Sequence, residues 1–178
     1  MASMPPITGI RVGIDHAGMS SGLDVPLAGH EYIKLDFSNG SELTLEAGPS
    51  GAAGTGDLVE MNYGNSSPYE VWLSTANVSN TGYSILNAYD NYAVNTEGDP
   101  IAYSPDTGDG YNSNSFISGL LEAAGFSESS VSNISDTLGS ESGLNPVGSE
   151  AGAGIVPFFS DLGDESGGGS GTKDENAY

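Results

Sequence analysis

The stretch from Asn112 to Phe126 constrains the fold more than any other part of the chain. Phe116, Ile117, Leu120, Leu121 and Ala124 recur at helical spacing and form one apolar stripe, so the segment reads as a helix lying on a core. Both of its ends are written in. Asn112 is a good N-cap, Gly125 stands where a left-handed residue closes a helix, and Phe126 can touch Leu121 as the hydrophobic partner of that closure. Ser113 falls on the buried stripe in the first turn, near the positive end of the helix dipole, where a nucleophile would be useful. The simpler reading of Asn112, Ser113, Asn114 and Ser115 is as capping residues.

A sheet for this helix to lie on is also legible. Ile10, Val12 and Ile14 alternate in a first strand from Ile7 to Ile14, and a loop from Asp15 to Gly29 follows, with His16 beside Asp15 as a reserve candidate for chemistry. His30 to Ala47 is the clearest hairpin. A two-residue Asn39-Gly40 turn would put Ile33 and Leu35 on the same face as Thr44 and Glu46; a three-residue loop with a left-handed Gly40 pairs Leu35 with Leu43 and Ile33 with Leu45. The second register is the consistent one. It gives one apolar face, and a polar face with His30, Tyr32, Lys34, Asp36, Glu42, Thr44 and Glu46, on which His30 and Glu46 are diagonal neighbours.

Gly48 to Gly56 reads as a mobile connection without the lysine or spacing of a phosphate-binding loop. Two short strands follow, Val59, Met61 and Tyr63 alternating in one and Tyr69, Val71 and Leu73 in the other, with Pro68 between them. Ile85, Leu86, Tyr89, Tyr92 and Ala93 predict a helix from about Thr81 to Val94, capped by Thr81 or Asn80, and just before it Asn77-Val78-Ser79 matches a glycosylation acceptor. Val131, Ile134 and Leu138 are spaced as a short helix, and Ile155 to Phe159 is a last apolar patch. The expected class is α+β, a mainly antiparallel sheet packed against two or three helices, with Ile33, Leu35, Leu43, Leu45, Val59, Phe116, Ile117, Leu120 and Leu121 in the core. The expected division is a single domain over 1–126, a docked extension over 127–162 and a flexible acidic Gly/Ser-rich tail over 163–178.

Charge narrows the functions. With 24 acidic residues against three basic ones the formal charge is -21, which repels phosphate backbones and argues against a nucleic-acid partner. Such a balance suits high salt, an extracellular setting or bound divalent cations, while solubility alone also accounts for it. The absence of cysteine excludes disulfides, thiolate metal sites and a thiol nucleophile. No apolar run approaches the ~20 residues of a membrane span, and the N-terminus lacks a basic start and an apolar signal core. Asp106 and Asp109 in the turn before the organising helix are the candidate calcium ligands; their spacing is not that of an EF-hand, and a solvated turn is the simpler reading.

The order of parts, a strand opening His30-Glu31-Tyr32-Ile33, its hairpin, and later a helix opening Asn112-Ser113-Asn114-Ser115-Phe116, resembles the circularly permuted papain-like hydrolases, the group of permuted NlpC/P60 domains and lecithin:retinol acyltransferases. In that group the strand opens with the catalytic His and the helix carries an Asn-Cys-x-x-Phe type motif. The resemblance spans residues 28 to 126, rests on short motifs, and places Ser113 at the Cys position. It implies Ser113 as nucleophile, His30 as base and helix-start amides as oxyanion donors, acting on an amide or ester such as a cell-wall peptide or a lipid. Asn112 belongs to the motif, whereas Glu46 or Thr44 as the residue orienting His30 does not follow from it.

Replacing Cys by Ser removes a nucleophile that imidazole readily ionises, at a cost larger than the ~10²–10⁴-fold that a base supplies. The residues alone therefore favour a degenerate, non-catalytic domain serving as an extracellular binding or structural module for a peptide, lipid or protein partner. A Ser113–His30 hydrolase and an acidic secreted calcium-binding protein are the alternatives.

Overall fold

The computed structural model describes residues 4–16, 28–62, 64, 67–104, 111–146 and 155–159. Its frame is a five-stranded antiparallel sheet of β1 (Ile7–His16), β2 (Gly29–Phe37), β3 (Glu42–Pro49), β4 (Leu58–Met61) and β5 (Glu70–Trp72), in the order β4-β3-β2-β1-β5. The β2–β3 hairpin takes the three-residue register: Ile33 faces Leu45, Leu35 faces Leu43, and Gly40 has a φ of 82°. β1 then matches Ile10, Val12 and Ile14 to Leu35, Ile33 and Glu31, so one face is almost wholly aliphatic.

Three helices cover that face: α1 (Val78–Asn95), α2 (Ser113–Ala123) and α3 (Glu128–Ser142), with a single short turn, α4 (Val156–Phe159), over α1 and α2. Ile85, Phe116, Ile117, Leu120, Leu121, Val131 and Leu138 join the sheet residues in one buried cluster. At its centre the Phe116 ring meets Tyr92 edge-on at 4.8 Å, and Phe159 of α4 stacks on Tyr92 at 5.0 Å. The last turn of α2 closes as expected. Gly125 is left-handed at φ 93°, with Phe126 N–H donating to the Leu121 carbonyl at 3.1 Å and Gly125 N–H to that of Glu122 at 2.9 Å.

Three local expectations are corrected. The helix expected from Thr81 starts at Val78, because the side chain of Asn77 accepts the Asn80 N–H at 3.1 Å and caps it; the glycosylation-like Asn is thus a helix cap. The connection after β3 is a hydrogen-bonded turn, with a 3₁₀ helix over Ala52–Gly54 closed by Gly51 N–H to the Thr55 carbonyl at 2.8 Å. In β4 the inward residues are Leu58 and Glu60, since they pair with Pro49 and Ala47, so Val59 is only half-buried. A strand repeats every two residues, and a shift of one exchanges its faces.

Candidate functional site

Asn112 caps α2: its Oδ1 accepts the Asn114 and Ser115 amides at 2.9 and 3.1 Å, while the Ser115 hydroxyl accepts the Asn112 N–H at 2.8 Å. This reciprocal pair satisfies the orphan amides of a helix start. The next residue but one does something the capping pattern does not require. β3 pairs with β2 only as far as Ile33, and the edge of β2 left open before it is filled by Asn114, whose Nδ2 donates to the Gly29 carbonyl at 2.9 Å and whose Oδ1 accepts the Glu31 N–H at 2.8 Å. Both peptide groups flanking His30 are therefore held by the first turn of α2.

His30 itself projects onto the polar face. Its Nε2 lies 3.3 Å from Glu46 Oε2, the diagonal pair expected from the hairpin register, and the Glu46 side chain is fully buried. The other oxygen of Glu46 accepts the Gly64 N–H at 2.9 Å, so the carboxylate is fixed from two sides. Ser113 is buried at the head of α2. Among the described residues no hydrogen bond joins Ser113 Oγ to His30. The amides of 114, 115 and 116 are engaged within the turn, the last with the Asn112 carbonyl at 3.0 Å, which among the described residues leaves Ser113 N–H as the first-turn amide that can serve an oxyanion.

Beyond His30 the polar face carries two of the three basic residues of the chain. Arg11 grips Asp36 with two nitrogens and reaches Glu42 at 2.7 Å and Glu70 at 2.6 Å, and Lys34 reaches Glu70 at 3.1 Å. Burial alone would raise the Glu70 carboxyl, but bonds from Lys34, Arg11 and Tyr32 outweigh it and hold the group below its ordinary value. Tyr32, completely buried, lies across Gly13 and takes the Ser67 N–H at 2.8 Å.

Two further acids withdrawn from solvent, Glu31 wholly and Glu60 in part, were not singled out from the sequence. Glu31 has the inward parity of Ile33 and Leu35, a signal that alternation offered; burial pushes it up to about 8 against the opposing bond from Ser135. Its Oε1 is buried with no partner among the described residues. Glu60 is pushed to about 7, chiefly by burial and further by the Asp90 charge, against a bond from the Ala93 backbone. The role of Asn114 has no sequence signal, because the edge it fills is created by the divergence of two strands. His16 ends β1, exposed, its N–H donating to Asp15 Oδ1 at 2.7 Å. Asp106 and Asp109, the candidate calcium ligands, lie outside the described residues, as does the 163–178 tail. Among the described residues no group of three or more His, Asp or Glu side chains is placed to hold a metal ion, and no helix is long and apolar enough to cross a membrane.

The fold is α+β, a mainly antiparallel sheet with its helices on one face. Comparison with protein-family profiles, curated proteins and solved structures finds no match.

Proposed function

We propose that this chain is a papain-like acyl hydrolase of permuted order that uses Ser113 as nucleophile, His30 as general base and Glu46 to orient and charge-balance the imidazole. The contact of His30 Nε2 with the buried Glu46 carboxylate carries the reading. A serine needs a stronger base than a cysteine does, and a carboxylate at one imidazole nitrogen stabilises the imidazolium formed when the other accepts a proton. Asn114 aligns the α2 start with the backbone of that same histidine.

In this scheme the Ser113 hydroxyl proton passes to His30 Nδ1 as Oγ bonds to the acyl carbon of an amide or ester. The Ser113 amide faces the oxyanion, and the imidazolium gives its proton to the departing amine or alcohol. Water then attacks the acyl-serine, and the proton it loses returns through His30 to Ser113. A cell-wall peptide or a lipid outside the cell is the substrate class.

The second reading, a non-catalytic binding or structural module, is favoured by the bonds of Asn112, Asn114 and Ser115 to other described residues, which serve the fold. A fluorophosphonate acyl probe separates the two. Hydrolase chemistry requires covalent mass on Ser113, none with Ser113→Ala, and labelling slowed by about 10²-fold or more in Glu46→Gln. No adduct, or an adduct that survives Ser113→Ala, removes the hydrolase and leaves the module.

A further inference from the structure

At the far end of the polar face from His30, the strands form an open cleft of about 310 Å³ lined by Thr8, Gly9, Arg11, Asp36, Glu42 and Trp72. Trp72, the sole tryptophan of the chain, is 64% exposed on the edge strand β5. Glycine at position 9 lets the Asp36 and Trp72 side chains close down on the backbone at the base of the cleft: a Cβ there would lie 2.6 Å from Asp36 Oδ2 and 2.7 Å from the Trp72 ring. The Arg11 guanidinium sits 5.1 Å from the indole centroid while gripping Asp36 and Glu42, so the polar groups are held before any ligand arrives.

We propose that this cleft binds a neutral carbohydrate. An anion meets a surface of charge -21 and, beside Arg11, the carboxylates Asp36, Glu42 and Glu70. A cation finds the usual cation position on the indole taken by Arg11, and the carboxylates already shared with it. A sugar ring has what the cleft lacks. Its C–H face covers the outer face of the indole, and its hydroxyls donate to carboxylate oxygens and exchange bonds with Thr8 without importing charge. The volume lies at the small end of ligand pockets, roughly 300–1,000 Å³, and suits a short oligosaccharide. His30 and Asp36 occupy opposite ends of β2, on the order of 20 Å apart at ~3.3 Å per residue, so this site does not depend on the chemistry proposed for Ser113.

Trp72 being the only tryptophan, its emission reports on the cleft directly. Titration of the full chain with cellotetraose, chitotetraose and maltotetraose is expected to give a saturable change with at least one of them, at low and at high sodium chloride alike. By calorimetry, Trp72→Ala and Glu42→Gln each weaken that binding by about tenfold or more, while Ser113→Ala leaves it unchanged. The proposal is overturned by the absence of a saturable response to all of these sugars, or by binding indifferent to Trp72→Ala. It is equally overturned if tetralysine alone produces the response and salt abolishes it, since the cleft is then cation-binding.

Discussion

Replacing Asn114 by alanine leaves the Gly29 carbonyl and the Glu31 N–H facing the emptied space at the open edge of β2. Each buried backbone group deprived of its partner costs about 1–3 kcal/mol, so the pair is worth about 2–6 kcal/mol. That is a large share of the ~5–15 kcal/mol that holds a domain together. At ~2–4 °C per kcal/mol for a chain of this size the melting temperature falls by roughly 5–20 °C. A conservative variant makes the test sharper. Asn114→Asp keeps an acceptor for Glu31 N–H but turns a second oxygen toward the Gly29 carbonyl, where only a donor fits. Burial and that carbonyl raise the introduced carboxyl above its ordinary ~3.9. The variant therefore approaches the parent in acid, where its proton restores the donor, and loses stability relative to it as the pH rises. Urea unfolding followed by circular dichroism across pH measures both. A loss below about 1 kcal/mol for Asn114→Ala, or a pH-independent deficit for Asn114→Asp, refutes the assignment of these two bonds as the docking of α2 on β2.

Glu31 has a folded value of about 8 against an ordinary 4.5, so the folded state binds the proton more tightly, and this contribution to stability is full below pH 4.5 and lost as the pH rises toward 8. Glu31→Gln is expected to flatten the stability curve over that window and to be more stable than the parent at its upper end; an unchanged slope in parallel unfolding series counts against a neutral buried acid. Gly13→Ala places a methyl group within the Tyr32 ring, whose hydroxyl is tied to Glu70 and Ser67, and an overpacking loss of about 1–3 kcal/mol is expected in denaturant titrations. Wild-type stability in that variant means that the ring moves without loss.

Much of the frame was legible because it rests on short-range rules. The stripe and caps of α2, the register of the β2–β3 hairpin and the neighbourhood of His30 and Glu46 all follow from residue spacing and from one glycine that must be left-handed. The misplaced start of α1 and the exchanged faces of β4 show where such rules fail. Asn77, Asn80 and Thr81 are all competent caps, and a strand of four residues carries too short a pattern to fix its own parity.

By itself the sequence determined the class of fold, the ends of its central helix, the acidity of its surface and the pairing across its main hairpin, since each is set by composition or by contacts a few residues apart. Only the tertiary structure decided what fills the open edge of β2, which acids are buried, and where Arg11 and Trp72 meet. Those depend on where β3 departs from β2 and on how β1 lies between β2 and β5, and residues far apart in the chain come into contact only when the whole sheet has closed.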